Sequence, residues 1–318
     1  MTSHTGTSVI VPVKDDPLVF ECVSSVIAAG ATEVIVVDNG SKPEFSEQLR
    51  ARLPESVTLL RVDEPGVYRA RNAGIEAATG EVILFTDADC VVEPNWVSAA
   101  LEALAAGADI VQGFSGAAPD GRAARWLQSR YEAHLHRLQP GDATETDTRN
   151  MAVRRPVFDA LRFNPDYRRV GDTEFGLLAE RAGFRVAYAP AMRVLHAHDG
   201  DLRVFAAKQI CHGWGAQRLM QEHPEIEWHG GHLKLVARVS DRLSRMRRLR
   251  PLAGLFRWLA VTGASLLQRS PNWLPDRAAI LALTAIDKLA ALSGHISYRP
   301  GTPEPSPSEI LNRQLPRD

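Results

Sequence analysis

The sequence predicts an α/β protein, with a mostly parallel sheet flanked by helices and a helical extension at the C-terminus. Over residues 1–115, short apolar runs alternate with segments of about ten residues that have helical character, which is the pattern of consecutive βαβ units. The segment 81–86 is centred on an uninterrupted apolar run, as expected of a strand buried on both faces of a parallel sheet. Beyond residue 202 the composition is typical of helices.

The elements of the first third follow one another in a regular order. Each strand is a run rich in Val, Ile and Leu, and each helix carries apolar residues at helical spacing between polar ones. The predicted strands are 8–13, 33–38, 57–62, 81–86 and 109–114, and the predicted helices are 17–29, 43–53, 68–78 and 95–106. Their alternation predicts right-handed crossovers between parallel strands.

The middle of the chain is less regular. Pro156 marks the start of a short helix at 154–161, and the polar composition of 141–148 predicts a mobile loop. The remaining predicted elements are helices at 122–138 and 172–182 and short strands at 184–189 and 192–195. The tail from residue 299 is rich in Pro and Ser, which predicts disorder.

Composition limits the classes of function. The 318 residues carry a formal net charge of -1 and 45% hydrophobic residues, which describes a globular protein with a sizeable core and no overall bias towards nucleic acid. Cys22, Cys90 and Cys211 are too widely spaced for a zinc or redox motif. The N-terminus lacks the plan of a signal peptide, and no uninterrupted apolar run of about 18 residues occurs, so we expect a cytoplasmic protein.

Two aspartates follow the strand at 81–86. Because the carboxyl ends of parallel strands form the ligand-binding edge of an open α/β sheet, Asp87 and Asp89 are expected to project into a crevice. Carboxylate oxygens there suit a hard divalent cation, which commonly bridges a protein to substrate phosphates. A D-x-D triplet by itself also fits a solvated turn, so the prediction depends on the segments that accompany it.

Four other segments line up in order with the D-x-D triplet. One strand ends in Pro and acids, the next ends in Asp before a turn, a helix contains Arg, Asn and Gly, and a late helix begins with two acids. These segments are 9–16 (VIVPVKDD), 36–41 (VVDNGS), 66–75 (GVYRARNAGI) and 171–175 (GDTEF). Over residues 7–200 this ordered set resembles glycosyltransferase family 2. The resemblance implies the GT-A fold, a nucleotide-sugar donor and transfer with inversion to an acceptor hydroxyl.

The resemblance implies donor-binding roles. Asp38 is expected to contact the nucleoside of a UDP- or GDP-linked sugar, because a carboxylate at a strand end accepts hydrogen bonds from a base or ribose. Capping of the turn that follows is the alternative for Asp38. Gly74 interrupts a helix and therefore needs a packing or ligand reason. The full set implied for the donor is Pro12, Val13, Asp15, Asp38, Arg71, Asn72, Gly74, Asp87 and Ala88.

The resemblance also implies Mn²⁺ or Mg²⁺ on the donor diphosphate, held by Asp89 and Asp87. Such a cation would stabilise the negative charge that builds on the departing nucleoside diphosphate. His196 and His198 follow a predicted strand at a place where relatives often carry an additional metal ligand, and His196 is the stronger candidate. A lone histidine there is otherwise a packed or surface residue.

An E-D-x-E segment supplies the catalytic base in this family, and 171–175 matches it with Gly171 in place of the first Glu. Asp172 then occupies the position of the base, which takes the proton of the acceptor hydroxyl as it attacks the anomeric carbon. Acids at a helix start also cap free N–H groups and complement the helix dipole, which is the structural alternative. The change at Gly171 leaves acceptor binding open, with Glu174 as an alternative for that role.

Residues implied for the acceptor come from three regions. Asn150 belongs to a segment, 148–152, that resembles the one lining the sugar and acceptor sites, and Glu174 follows the proposed base. Aromatic candidates for stacking on a sugar face, with core packing as the alternative, are Trp126, Tyr131 and Trp214. We therefore predict a catalytic domain at 1–215, with a nucleotide-binding half at 7–95 and an acceptor-binding half at 96–215, a helical extension at 216–298 and a disordered tail at 299–318.

The predicted extension is rich in arginine between residues 232 and 269, with Leu, Val and Trp between the charges. Such a stretch can lie on anionic lipid at the inner face of a membrane, which would suit a lipid-linked acceptor. The alternative is a solvated face on helices that pack against the catalytic domain or against a second subunit of a homodimer. Cell-envelope glycans and small natural products also remain open as acceptors.

Three other functions compete with sugar transfer. A sugar nucleotidyltransferase would be expected to carry a Gly-rich phosphate loop near the first strand, whereas 11–16 contains no glycine. A catalytically silent, nucleotide-sugar-binding assembly subunit is disfavoured by the intact set of Asp87, Asp89 and Asp172, and favoured only by the departure at Gly171. Nucleic-acid binding through the arginine-rich helices is the third alternative.

Overall fold

The computed structural model describes residues 6–117, 125–129, 138–141, 145–197, 200–224, 250–269 and 275–312. The chain forms two compact units. The first comprises Met1–Ala118 and Tyr131–His198, and the second comprises Pro119–Arg130 and Asp199–Asp318. In their described residues the first unit is an α/β unit, and the second is helical.

Eight strands form one sheet in the described part of the first unit. They are β1 (Thr7–Val13), β2 (Glu33–Asp38), β3 (Val57–Arg61), β4 (Val82–Thr86), β5 (Cys90–Val92), β6 (Ile110–Ala117), β7 (Asn150–Arg154) and β8 (Val186–His196). Their order across the sheet is β3-β2-β1-β4-β7-β6-β8-β5. β1 pairs in parallel with β2 and β4, so Asp38 and Thr86 end their strands at the same edge. This is the edge where the sequence predicted a ligand.

The sheet is mixed, because β7 pairs antiparallel with both β4 and β6, and β5 pairs antiparallel with β8. Neither β5 nor β7 was predicted as a strand. Residues 184–189 and 192–195, predicted as two strands, form the single strand β8, which runs parallel to β6. The register shifts where Pro190 falls, since Ala189 lies opposite Gly113 while Arg193 lies opposite Phe114. Proline has no N–H to give to a ladder, so it occurs at such irregularities.

Six helices in the described residues flank the sheet, each with an apolar side turned inward. They are α1 (Val19–Ala28), α2 (Pro43–Arg52), α3 (Val67–Ala77), α4 (Trp96–Ala105), α5 (Arg155–Ala160) and α6 (Gly171–Arg181). In α1, for example, Val19, Cys22, Val23 and Val26 are buried at helical spacing. Helix α3 lies so close to β1 that an added Cβ at Gly74 would be 2.6 Å from Ile10 Cγ2. Close packing therefore accounts for the glycine inside this helix.

The second unit contains helices α7 (Leu202–Glu222), α8 (Arg250–Gln268), α9 (Asp276–Ser297) and α10 (Pro307–Asn312). The Asp201 carboxylate accepts a hydrogen bond from the Arg203 N–H and caps the start of α7. Helix α7 therefore begins well before residue 215, where the sequence predicted the domain boundary, and it crosses that residue without a break. The hydrophobic core of this unit includes Leu202, Ala206, Ile210, Ala260, Leu283, Ile286 and Trp126.

The prediction of a disordered tail is wrong for the part of 299–312 that forms α10. Ile310 is buried in the helical core, and Cys211 Sγ donates a hydrogen bond to the Pro305 carbonyl oxygen at 3.2 Å, so this segment has packing partners despite its Pro and Ser content. The Pro and Ser content predicts disorder, but the adjacent Ile310 and Leu311 supply the apolar surface that packs this segment against the helical core. Several predicted features lie outside the described residues: residues 232–249 of the arginine-rich stretch, most of the helix 122–138, residues 142–144 of the loop, Tyr131 and His198.

Helix α9 is long and apolar enough to cross a membrane by length and composition alone. Half of its apolar window is buried inside the protein. Core helices of soluble proteins have the same properties.

Candidate active site

The turns after β1 and β2 lie side by side at the carboxyl edge of the sheet. Pro12 and Val13 end β1, and Asp15 follows with a positive φ of 52°. The Asp15 N–H donates to Ser41 Oγ at 3.1 Å, and Asp15 Oδ1 accepts from the Lys42 N–H at 2.9 Å. Aspartate tolerates this left-handed conformation better than most residues. The two predicted donor-binding turns are thus held together by their own hydrogen bonds.

Asp38 is buried and surrounded by hydrogen-bond donors. Its Oδ1 accepts from the Ser41 N–H at 2.8 Å, and its Oδ2 accepts from Arg61 Nη1 at 2.7 Å and from the Ser46 hydroxyl. Burial acts to raise the pKa of the Asp38 carboxyl, but the hydrogen bonds from Ser46 and Ser41 and the charge of Arg61 outweigh it and hold the pKa below its usual value. Asp38 therefore stays ionised. Its hydrogen bond from the Ser41 N–H caps the turn that follows β2, which is the alternative role that the sequence allowed.

Helix α3 brings three predicted donor residues to the site. Arg71 is buried, and its Nη2 donates to Asp87 Oδ1 at 2.7 Å. The Asn72 side chain is occupied by the backbone of Phe163, donating to its carbonyl oxygen at 2.7 Å and accepting from its N–H at 3.2 Å. These contacts give Asn72 a structural role, and its place in a base pocket stays a prediction. Ala88 is buried between the two aspartates of the triplet.

Asp89 and His196 meet at the end of two paired strands. Cys90 lies opposite His196 in the β5–β8 ladder, and His196 Nε2 is 3.1 Å from Asp89 Oδ2. Cys90 offers a third possible ligand atom within the same cluster. Burial, and then the charges of Asp87 and Asp89, raise the pKa of the Cys90 thiol well above its usual value. Because metals bind the thiolate, the donor set that fits a cation is Asp89 with His196, a carboxylate and an imidazole.

Asp172 is the second residue of α6, which begins at Gly171 directly after Val170, whose φ of 57° is unusual for a β-branched residue. Its Oδ1 accepts from Tyr68 Oη and from the Thr173 N–H, each at 3.0 Å. Its Oδ2 accepts from the N–H and the hydroxyl of Thr148, each at 3.3 Å. Burial, followed by the charge of Asp147, raises the pKa of the Asp172 carboxyl above its usual value. A carboxylate with a raised pKa is a stronger base, as general-base catalysis requires.

These residues form one connected group in the first unit. The Asp87 carboxylate binds Arg71, the Arg71 guanidinium lies 5.4 Å from the Tyr68 ring centroid, and the Tyr68 hydroxyl binds Asp172. The D-x-D triplet and the residue at the base position are thereby linked through two side chains of α3. The structure thus links Asp87 to Asp172 and separately pairs Asp89 with His196, while the catalytic and metal-binding roles of these residues stay predictions.

The sequence model of glycosyl transferase family 2 matches residues 8–167, just over half of the 318 residues. The chain belongs to glycosyl transferase family 2. Asp172 and His196 lie beyond the matched residues, so their roles depend on the geometry described above.

The chain is similar in sequence to two curated relatives, from Haloferax volcanii and Rhizobium meliloti. It is 27% identical over 196 residues to glycosyltransferase AglE of Haloferax volcanii, covering 57% of this chain and 64% of AglE. It is 30% identical over 166 residues to succinoglycan biosynthesis protein ExoM of Rhizobium meliloti, covering 49% of this chain and 54% of ExoM. The chain therefore spans between half and two thirds of the length of these relatives.

A solved structure supports the fold. The crystal structure of GalNAc-T7 with UDP, GalNAc and Mn²⁺ matches with a TM-score of 0.50 at 15% identity, over 70% of this chain and 55% of that one. At this identity the likeness concerns the fold alone. Together with the family match it confirms the predicted GT-A fold.

Two of the residues predicted to bind the acceptor, Asn150 and Glu174, are buried in this family 2 protein. Asn150 is fully buried: its Oδ1 accepts from Trp96 Nε1 at 2.7 Å, and its Nδ2 donates to the carbonyl oxygens of Phe114 and Met192 at 2.8 and 2.9 Å. With these three bonds in place the geometry favours a structural role over the predicted acceptor contact, because no part of the side chain is exposed. Glu174 is also buried, two residues after the base position.

Trp214, the third acceptor candidate, lies in the second unit. It is buried and packs edge-on against Tyr298, with ring centroids 4.9 Å apart. Trp126 is likewise a core residue of that unit. Both tryptophans therefore have the surroundings expected of core residues. Contact of Trp214 with a sugar stays a prediction.

Sequence reasoning missed three residues of the site. Asp147 and Arg149 form an ion pair of 2.8 Å, and burial of Asp147 is outweighed by the charges of Arg149, Arg71 and His196, which lower the pKa of its carboxyl. Asp147 lies at the end of the polar segment 141–148, which predicted only a loop, and Arg149 lies in the segment 148–152, from which only Asn150 was given a role. Tyr68 was assigned to a helix and given no function. Its one signal in the sequence was its position three residues before Arg71 on α3.

Proposed function

We propose that this protein is a metal-dependent, inverting glycosyltransferase that moves a sugar from a nucleoside-diphosphate sugar to an acceptor hydroxyl. The observation that carries the proposal is the link from Asp87 through Arg71 and Tyr68 to Asp172, which joins the D-x-D edge to a half-buried carboxylate in one group. The acceptor class stays open between cell-envelope glycans, lipid-linked carriers and small natural products.

Each residue has a chemical task under this proposal. Asp38, ionised by its surroundings, would accept hydrogen bonds at the nucleoside end of the donor. Asp172 would take the proton from the acceptor hydroxyl through Oδ2, whose two hydrogen bonds are the longer ones. Attack from the face opposite the leaving group inverts the anomeric centre and releases the nucleoside diphosphate.

The residues at the D-x-D edge fit a divalent cation. Asp89 and His196 already lie within hydrogen-bond distance of each other, with both side chains partly exposed. An imidazole among the ligands favours Mn²⁺ over Mg²⁺, which prefers oxygen ligands. When bound, the cation would offset the negative charge on the leaving diphosphate.

A donor screen tests the function. We expect UDP- or GDP-sugars to raise the melting temperature in the presence of Mn²⁺ or Mg²⁺ and to be without effect in EDTA, because a ligand that binds only the native state stabilises it. UDP-sugars are tested first, since the similarly folded GalNAc-T7 was solved with UDP and Mn²⁺. Hydrolysis of the same donors is followed in parallel. If no donor in the screen gave a metal-dependent rise in melting temperature and none was hydrolysed, the proposal would be contradicted.

The surroundings of Asp172 argue against the rival functions. A silent assembly subunit has no need of a half-buried carboxylate whose pKa is raised and which is held by Tyr68 and Thr148. A nucleotidyltransferase would need a glycine-rich phosphate loop, and 11–16 has no glycine.

We also propose that the second unit contacts an anionic membrane surface. Helix α8 exposes one apolar stripe, formed by Leu255, Trp258, Leu259 and Leu266, whose exposed fractions are 47%, 55%, 38% and 66%. Their spacing places them on one side of the helix, and the exposed Arg269 follows at its end. An apolar stripe beside arginine suits the interface of an anionic bilayer.

Liposome flotation tests the membrane proposal. We expect co-flotation with phosphatidylglycerol vesicles at low salt and a loss of binding in the double variant Trp258→Ser/Leu266→Ser. The control is Leu18→Ser, which removes an exposed leucine from the first unit. Equal flotation of all three proteins, or no flotation of the unaltered protein, would overturn the proposal.

A further inference from the structure

The glycine that precedes Asp172 lies against an aromatic ring. An added Cβ at Gly171 would be 2.6 Å from Cε2 of Tyr68 and 2.9 Å from two further atoms of that ring. Gly171 does not have a positive φ, so its backbone conformation is open to any residue. The space taken by Tyr68, and not the backbone, therefore keeps this position free of a side chain.

The Tyr68 ring is fixed from several sides. It is buried, its centroid is 5.7 Å from that of Phe163, and the Arg71 guanidinium lies over it. Burial, and then the charge of Asp172, raise the pKa of the Tyr68 hydroxyl well above its usual value, so the hydroxyl keeps its proton. A protonated phenol next to a carboxylate donates the hydrogen bond, which gives the 3.0 Å contact with Asp172 a defined direction.

Tyr68 and Gly171 thus form a matched pair beside the base position. We propose that Tyr68 is a positioning residue that orients Asp172 for proton abstraction, and that position 171 is glycine to make room for its ring. This inference rests on the proposed function of Asp172. The Tyr68 hydroxyl and the Thr173 N–H hold Oδ1 at 3.0 Å, whereas Oδ2 has the longer bonds of 3.3 Å from Thr148 and is the oxygen that an acceptor hydroxyl would approach.

The groups around Asp172 decide how its protonation responds to a change at Tyr68. Burial, and then the charge of Asp147, raise the pKa of Asp172, whereas Arg71, the Thr148 N–H and the Tyr68 hydroxyl lower it. Glu145 is a further acidic group that senses the charge of Asp172. A hydrogen bond donated to the ionised form stabilises that form, so removing the Tyr68 hydroxyl leaves Asp172 easier to protonate.

The first test is Tyr68→Phe, which keeps the ring and removes the hydrogen bond. We expect kcat to fall about 10- to 100-fold through misorientation of the base, with the KM for the donor unchanged. The acid limb of the pH–rate profile should move to higher pH by about one unit. Tyr188→Phe is the control, because Tyr188 is another buried tyrosine of the same unit and has no hydrogen bond to Asp172. An unmoved acid limb in Tyr68→Phe would overturn the positioning role.

The second test uses stability and needs no activity. Gly171→Ala should lower the melting temperature by about 4 °C or more in the natural background, and clearly less in the Tyr68→Ser background, where the ring is gone. Equal losses in both backgrounds would overturn the pairing of the two positions.

A third readout separates failure of this inference from failure of the proposed function. The titration of the Asp172 carboxyl is followed by ¹³C NMR, with its signal assigned by its disappearance in Asp172→Asn. Its midpoint should rise by about one pH unit in Tyr68→Phe even if no donor is ever turned over. A protein without transferase activity but with this shift would contradict the function alone, and an unshifted midpoint would contradict the role of Tyr68.

Discussion

Replacing Asp172 with Asn is expected to reduce sugar transfer about 10²- to 10⁴-fold, because the amide cannot accept the proton of the attacking hydroxyl. The amide has nearly the same shape as the carboxylate and can still accept the hydrogen bond from Tyr68, so the site should keep its arrangement. Donor binding should therefore survive. Transfer is measured by chromatography of the product, and donor binding by the metal-dependent rise in melting temperature.

The control for this variant is Asp159→Asn, which changes an exposed aspartate on α5 of the same unit. Its turnover should match that of the unaltered protein. Near-normal turnover in Asp172→Asn would show that another group is the base.

The pH dependence supplies an independent check on Asp172. A base must be ionised to act, so transfer is lost as the pH falls through the pKa of Asp172. Burial, and then the charge of Asp147, place this pKa above the ordinary value of 3.8. The acid limb of the pH–rate profile should accordingly lie above that value, and it should be absent from the residual activity of Asp172→Asn.

Replacing Asp89 with Asn is expected to have the second-largest effect. Neutralising this carboxylate removes the anionic partner of a divalent cation, and loss of the cation at a leaving diphosphate costs several kcal/mol, or roughly a factor of 10³ in rate. His196→Ala should weaken Mn²⁺ binding by about tenfold or more while leaving the carboxylate in place. Both effects are measured by titrating Mn²⁺ against the melting temperature with the donor present.

Cys90→Ser is the control for the metal site. The thiol lies beside Asp89 and His196, but burial keeps it protonated, so its loss should leave the Mn²⁺ midpoint unchanged. Retention of a metal-dependent shift in Asp89→Asn, or its loss in Cys90→Ser, would contradict the assignment of ligands.

The first half of the fold could be predicted because its strands and helices are separate in sequence and each has a clear apolar pattern. The four strands β1 to β4 were each predicted to within one residue at either end. Strand β5 has only three residues, too few to show a period. Strand β7 follows a polar segment, and nothing in its own residues indicates that it enters the sheet antiparallel between β4 and β6.

The candidate site was predictable where a functional residue directly follows a strand. Asp38 and His196 end their strands, Asp87 directly follows β4, and Asp89 lies in the short turn between β4 and β5. Asp147 and Tyr68 could not be found in this way, because their importance comes from contacts with residues far away in the chain. The burial of Asn150 also depends on residues far away in the chain, because its side chain hydrogen-bonds to Trp96 and to two backbone carbonyl oxygens.

The contact between Tyr68 and Gly171 has a consequence for how this protein and its descendants can change. Two positions 103 residues apart share one small volume, since any side chain at 171 begins where the Tyr68 ring already lies. A mutation that introduces a larger residue at 171 would be removed by selection in lineages that keep tyrosine at 68. Lineages with a small residue at 68 could accept it. The two sites should therefore have changed together during evolution, with the order of the two substitutions fixed by the need to remove the ring first.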